Sequence, residues 1–146
     1  MVKVLSAKPN LLDVNVLFAL TWPKHLHHHD AQTWFQSTRS AGFRTCPLTQ
    51  LGFVRLSSNP AVSRDAVSPR TALDMLSRIV ALPEHEFWED NMPLSSAIGP
   101  SSPVVGHKQL TDAYLLGLAR VRGGRLATFD RGIASLLQGE DLAQFL

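Results

Sequence analysis

The feature that most constrains the fold of this chain is a short apolar segment that ends on an aspartate and is followed at once by a helical pattern. It occurs twice, as Leu11-Leu12-Asp13 near the start and as Leu126-Ala127-Thr128-Phe129-Asp130 near the end. Such runs are typical of strands buried on both faces of a parallel sheet. We therefore predict strands over Asn10–Val14 and Leu126–Phe129, with both aspartates at the edge of a buried core.

A third aspartate stands at the start of a helix. Asp112 lies in the opening turn of a helical pattern that begins at Leu110, and the residues after it are apolar on almost every side, which is typical of a helix packed inside a domain. Gly123 and Gly124 end this pattern. The sequence thus places three carboxylates, those of Asp13, Asp112 and Asp130, beside the core rather than on a solvated face.

Strands and helices alternate along the rest of the chain, after a lead-in over residues 1–8. We predict further strands over Phe43–Cys46, Glu86–Trp88 and Leu142–Leu146. We predict further helices over Asn15–Leu20, Leu26–Ser40, Thr49–Ser57, Ser68–Pro83, Leu94–Ile98 and Arg131–Leu137. This alternation favours a single α/β domain over residues 1–146, with three layers and a mostly parallel central sheet flanked by helices.

Composition excludes several classes of protein. Hydrophobic residues make up 45% of the chain and charged residues 18%, which is ordinary for a globular domain. The formal net charge of +2 is too small to establish a nucleic-acid partner. The single cysteine, Cys46, excludes an internal disulfide and a cysteine-rich zinc site. Because no apolar run approaches the ~20 residues of a membrane span, we expect no membrane association and a cytoplasmic location.

Three carboxylates beside a core indicate a metal site. Like charges and burial both disfavour ionisation, and a hard divalent cation such as Mg²⁺ or Mn²⁺ relieves both. A water activated by such a cation is a nucleophile for phosphodiester hydrolysis. Asn15 and Thr128, each two residues from an aspartate, are candidates to hold the carboxylates or a phosphate by hydrogen bonds. For each aspartate alone, a helix cap is the competing interpretation.

Four segments, in order along the chain, resemble the PIN domain and specifically the VapC-type toxins of bacterial toxin–antitoxin pairs. They are LLDVNVL (residues 11–17), CPLTQLGFVR (46–55), GHKQLTDAYLL (106–116) and RLATFDR (125–131). The resemblance implies a parallel-sheet fold, Mg²⁺- or Mn²⁺-dependent endoribonuclease activity, a homodimer and inhibition by a small antitoxin. It places Asp13, Asp112 and Asp130 on three of the four acidic positions of the family.

The fourth acidic position is where this chain departs from the family. The family offers a glutamate as Thr-Glu or Thr-x-x-Glu, whereas Thr49 is followed here by Gln50 and, three residues on, by Gly52. We favour Gln50 as the equivalent. A glutamine orients a water or offers a carbonyl oxygen but adds no charge, so a weaker metal site is expected.

Three further features of the sequence bear on function. The histidine-rich block His25–Asp30 is interpreted as a solvated helix start, with a role in lining the substrate groove as the alternative. Arg131 is a candidate phosphate contact, since arginine binds phosphate oxygens without reading sequence; an ion-pair role is the alternative. The aromatic residues Trp34, Phe35, Phe87 and Trp88 are assigned to the core or a dimer interface.

The leading hypothesis is therefore a metal-dependent endoribonuclease toxin. A nuclease of the same fold acting on DNA or flap-like substrates ranks lower, because the chain has no accessory domain to select such structures. A hypothesis of a different class is a catalytically silent module that binds RNA or an antitoxin, since Gln50 replaces the fourth carboxylate.

Overall fold

Five parallel strands form one sheet in the computed structural model, which describes residues 7–146. The strands are β1 (Asn10–Leu12), β2 (Phe43–Thr45), β3 (His85–Phe87), β4 (Arg125–Thr128) and β5 (Ala143–Phe145). Their order is β3-β2-β1-β4-β5, and every neighbouring pair is parallel. This confirms the predicted parallel sheet. The predicted lead-in falls largely on residues 1–6, which lie outside the described residues.

Helices connect these strands and cover the sheet. The α-helices are α1 (Val14–Thr21), α2 (His28–Thr38), α3 (Pro47–Ser57), α4 (Pro69–Val80), α5 (Leu94–Ala97) and α6 (Leu110–Arg122). Short 3-10 helices occur at Arg39–Ala41, His107–Gln109 and Arg131–Leu136. The last of these is the helix predicted after Asp130, and it is a 3-10 helix that ends one residue earlier than predicted.

Local chemistry explains where several helices begin and end. The side chain of Asp13 accepts from the backbone of Val14 at the start of α1, and Ser68 caps α4 just before Pro69. At the other end of α6, Gly123 adopts a left-handed conformation with φ of 71°, which a residue with a Cβ adopts only at a cost. The strand predicted over Asn10–Val14 therefore ends earlier, because Asp13 and Val14 already belong to the helix start.

Each face of the sheet has its own core. Successive residues of a strand point to opposite faces, so Leu11 packs with α6 on one face, whereas Leu12 packs with α1 and Phe53 of α3 on the other. Leu11 and Leu12 are both fully buried. A central strand buried on both faces accounts for the continuous apolar run seen in the sequence.

Burial differs between neighbouring apolar side chains. In α3, Phe53 is fully buried while Leu51 is 56% exposed, so the side of the helix that carries Phe53 faces the core. Phe35 and Trp88 are buried as predicted, but Phe87 is 46% exposed and does not belong to the core. Within residues 7–146, no helix combines the length and apolar character needed to cross a membrane.

The strand order reverses between β1 and β4, the point at which open parallel sheets form a crevice. From β1 the chain moves to β2 and β3 on one side, and β4 and β5 lie on the other. Ligands of open parallel sheets bind at such a reversal, beyond the carboxyl ends of the strands. Asp13 follows β1 and Asp130 follows β4 within two residues, so both flank this crevice.

Candidate active site

Asp13 is held at the crevice by hydrogen bonds to both of its carboxylate oxygens. Oδ1 accepts from the Val14 backbone at 2.8 Å, and Oδ2 accepts from the Thr128 hydroxyl at 2.8 Å. The residue is only 9% exposed. Burial raises the pKa of Asp13 above its ordinary value, against the lowering effect of these two hydrogen bonds, and the nearby charge of Asp130 raises it further.

Thr128 is the centre of a small network that joins the two strand ends. Its hydroxyl oxygen accepts from the Asn15 side-chain amide at 3.1 Å and from the Asp130 backbone at 3.0 Å. The carbonyl oxygen of the Asn15 side chain in turn accepts from the backbone of Phe129 at 3.2 Å. Thr128 is fully buried, and its hydrogen bond to Asp13 is therefore shielded from water and holds that carboxylate in place. Of the two roles considered from the sequence, holding the carboxylate is the one that this geometry favours.

Asp112 faces the other two aspartates from the first turn of α6. Burial raises the pKa of Asp112 to about 6, and the charges of Asp13 and Asp130 contribute to this shift. Electrostatic coupling among all three carboxylates shows that the fold brings them to one place, although Asp13 and Asp112 are 99 positions apart. A carboxyl with so high a pKa at a crevice is typical of a functional site.

The donor chemistry of this cluster fits a hard divalent cation. Carboxylate oxygens are the ligands that Mg²⁺ and Mn²⁺ prefer, and a cation removes the repulsion that raises the pKa of Asp112. The three carboxylates do not, however, converge on a common coordination point. Residues 7–146 contain no group of three or more His, Cys, Asp or Glu residues in position to hold a metal ion. Asp130 instead caps the following 3-10 helix, where Oδ1 accepts from Gly132 at 2.8 Å.

Gln50 is anchored by partners that the sequence pattern did not identify. Its side-chain nitrogen donates to the Thr45 hydroxyl at 3.0 Å, and that hydroxyl lies 2.7 Å from Nε2 of His85. Burial lowers the pKa of His85, as does the charge of Arg44, which favours the neutral ring. Thr45 and His85 end up side by side because β2 and β3 pair, which no local motif reveals.

Packing in this chain disfavours an acidic side chain at position 52. A Cβ atom placed on Gly52 would lie 2.5 Å from Cγ2 of Val14 in α1, closer than real side chains approach. A glutamate at this position would force α1 and α3 apart. This supports the choice of Gln50 as the equivalent residue.

Two candidates from the sequence lie close to the end of β4. The Arg131 guanidinium lies over the Phe145 ring, 5.4 Å from its centroid, and the residue is exposed. His27, from the histidine-rich block, stacks on Phe129 with ring centroids 4.9 Å apart. The block does begin a helix, since His27 precedes α2, but the fold also brings one of its rings next to the strand that leads into Asp130.

Curated relatives decide the family. Ribonuclease VapC39 of Mycobacterium tuberculosis is 45% identical over 125 residues, which covers 85% of this chain and 90% of that protein. This chain belongs to the VapC family of ribonucleases. Ribonucleases VapC38 and VapC29 of the same organism are 45% and 44% identical over 88% and 86% of the chain, and over 89% of their own lengths. No protein-family model matches the chain.

Solved VapC structures share the fold. One is VapBC2 from Rickettsia felis, bound to a promoter DNA fragment. Its match covers 93% of this chain and 97% of the matched VapBC2 chain, with a TM-score of 0.63 at 9% identity. VapC20 of Mycobacterium tuberculosis, a toxin that cleaves the sarcin–ricin loop, covers 88% and 94% with a TM-score of 0.60 at 11% identity. The predicted PIN-like α/β fold is thus confirmed, and membership of the VapC family favours a ribonuclease over a silent module.

Proposed function

We propose that this chain is the endoribonuclease toxin of a toxin–antitoxin pair and hydrolyses RNA phosphodiester bonds with the help of Mg²⁺ or Mn²⁺. The observation that carries the proposal is that Asp13 and Asp130 follow the neighbouring strands β1 and β4, with Asp112 of α6 close enough for its pKa to be raised by both of their charges. Family membership supports the reaction class, and the oxygen-donor set supports the cation.

Each residue has a distinct part in the proposed site. Asp13, Asp112 and Asp130 would hold the cation, which when bound activates a water and stabilises negative charge on the phosphate. Thr128 and Asn15 keep Asp13 and the β4 end in register.

Two further side chains complete the proposed site. The side-chain nitrogen of Gln50 donates to Thr45, so its carbonyl oxygen remains to orient a water or to contact the cation. Arg131, exposed beside Asp130, is placed to contact a phosphate of the RNA backbone.

Partners and location are part of the same proposal. A small cognate antitoxin is expected to inhibit the chain, as the VapBC name of a structural neighbour suggests by analogy. Exposed Leu48 and Leu51 on α3, beside Gln50, are suited to a homodimer contact. We place the protein in the cytoplasm, where its RNA substrate is found.

The test is cleavage by the purified protein without its partner. A structured RNA pool is incubated with Mg²⁺ or Mn²⁺, with EDTA, and with the Asp13→Asn variant. Asp74→Asn is the matched control, because Asp74 lies exposed on α4. Discrete cleavage that EDTA and Asp13→Asn abolish, and that Asp74→Asn retains, is expected. A folded protein that binds RNA without cutting it under any cation would overturn the proposal in favour of the silent module.

A further inference from the structure

Five aromatic rings form a continuous series that ends at the carboxylate cluster. From Phe129 the series passes to His27 at 4.9 Å between centroids, to His25 at 5.9 Å, to Phe18 at 5.5 Å and to Trp22 at 5.8 Å. Phe129 stands between Thr128 and Asp130, so one end of the series is part of the proposed active site. We call these five rings the aromatic track.

The rings of the track are accessible to solvent. Its rings are half-buried or exposed, and the side chain of His27 is 46% exposed. Five other aromatic residues are buried in the core: Phe35, Phe43, Phe53, Trp88 and Tyr114. Burying these rings would stabilise the fold, because apolar surface is removed from water. A group of exposed rings beside a charged site therefore indicates a binding surface.

A cavity opens at the far end of the track. It has a volume of about 190 Å³, and its lining includes Phe18, Trp22, His25, Lys24, Ser63 and Asp65. The Trp22 ring is fixed by a 3.3 Å hydrogen bond from its indole nitrogen to Ser57. The rings supply flat apolar walls. Polar groups at the edge are the Ser63 hydroxyl and the Lys24 ammonium, which pairs with the Asp65 carboxylate at 3.8 Å. Flat walls with polar groups at the edge match the shape and chemistry of a nucleobase.

We propose that the aromatic track binds unpaired bases of the RNA substrate, with one base stacked at the His27–Phe129 pair and another seated in the Phe18–Trp22–His25 cavity. This deepens the ribonuclease function proposed above and rests on it. Single-stranded RNA is bound by stacking its bases on Phe, Tyr, Trp and His rings. The track thus selects substrates whose nucleotides next to the cleaved bond are unpaired.

Base stacking is tested with a short single-stranded RNA that carries one 2-aminopurine, a base whose fluorescence falls when it stacks. The fluorescent base is moved along the RNA one position at a time. Binding is measured in the full chain with Asp13→Asn and Mg²⁺, so that no cleavage occurs. We expect quenching at one or more positions, and roughly tenfold weaker binding for His27→Ala.

Matched variants separate stacking from other roles of the histidine. His27→Phe keeps the ring and is expected to retain binding, whereas His29→Ala removes an exposed histidine of the same block outside the track. An RNA that lacks the quenched base is expected to bind His27→Ala and the parent alike. Equal binding by His27→Ala and His29→Ala overturns the proposal, and so does a loss shared by His27→Ala and His27→Phe.

The two proposals fail in different ways. If the unaltered chain cleaves RNA while the His27 variants bind like the parent, the track is wrong and the nuclease function stands. If binding depends on the His27 ring but the unaltered chain never cleaves, the track stands as an RNA-binding surface and the nuclease function is wrong.

Discussion

The Thr128 hydroxyl donates a 2.8 Å hydrogen bond to Oδ2 of Asp13 across 115 positions of sequence. Both side chains are buried, so the bond forms away from water. It ties the end of β4 to the end of β1 and determines which way the Asp13 carboxylate points. The orientation of the most buried aspartate therefore depends on a threonine that carries no charge.

Replacing Thr128 by valine removes this donor while keeping the shape of the side chain. A buried carboxylate then loses a hydrogen bond, which costs about 1–3 kcal/mol in the free energy of unfolding. We expect Thr128→Val to lower that free energy and to reduce RNA cleavage, measured by urea unfolding and by initial rates. Thr128→Ser keeps the hydroxyl and is expected to retain most of both. Equal losses in the two variants would mean that packing, not the hydroxyl, matters here.

The raised pKa of Asp112 predicts a pH-dependent stability. With the folded-state pKa at about 6 and the ordinary value at 3.8, the folded protein binds more protons than the unfolded chain between these values. The free energy of unfolding therefore falls as the pH rises from 4 to 6. In EDTA at pH 7.5, Asp112→Asn is expected to stabilise the fold by roughly 1 kcal/mol after allowance for solvent screening.

The Asp112→Asn effect is measured by urea unfolding at pH 7.5 and at pH 4. It should be much smaller at pH 4, because the folded Asp112 carboxyl is then protonated and the unfolded one only partly ionised. Asp74→Asn serves as the exposed control. Adding Mn²⁺ should raise the melting temperature of the unaltered chain more than that of the variant, since a ligand stabilises only the state that binds it. Destabilisation by Asp112→Asn at pH 7.5 in EDTA would contradict the prediction.

Gln50→Glu restores the carboxylate that the family resemblance leads one to expect. A fourth negative charge strengthens the attraction for a divalent cation, so cleavage at limiting Mg²⁺ is expected to increase. The same change removes the amide donor to Thr45 and adds repulsion, so the free energy of unfolding in EDTA is expected to fall by about 1 kcal/mol.

The matched variant for this prediction is Gly52→Glu, the alternative acidic position. Because a side chain there meets Val14, it is expected to lower the melting temperature without increasing cleavage. Both variants are compared in Mg²⁺ titrations of cleavage rate. If Gly52→Glu activates and Gln50→Glu does not, the assignment of position 50 is wrong.

Gly117 lets α6, which carries Asp112, approach α5. A Cβ atom at this position would overlap the carbonyl group of Ala97. Gly117→Ala is therefore expected to destabilise the fold by about 1–3 kcal/mol, despite the better helix propensity of alanine. Urea unfolding measures this, with Gly99→Ala as the control, since a Cβ on Gly99 has open space around it. A neutral or stabilising Gly117→Ala would show that the two helices separate easily.

Much of the architecture follows from local sequence patterns. Leu11 and Leu12, apolar in succession, predicted a strand buried on both faces, and this strand is central in the sheet. Gly123 predicted the end of α6, and Ser68 with Pro69 predicted the start of α4. Asp13 and Asp130 were recognisable at strand ends because a parallel sheet aligns those ends. These features depend on neighbouring residues, so they are visible in the order of residue types.

Other features depend on residues that only folding brings together. The anchoring of Gln50 through Thr45 and His85 requires β2 to pair with β3, and the stack of His27 on Phe129 joins segments about 100 positions apart. The exposure of Leu51 and the contact of Gly52 with Val14 come from the way α3 packs on α1. Periodicity in a sequence reports which residues are apolar and how often they recur. It carries no information on which distant side chain fills the adjacent space, and that choice is made by packing.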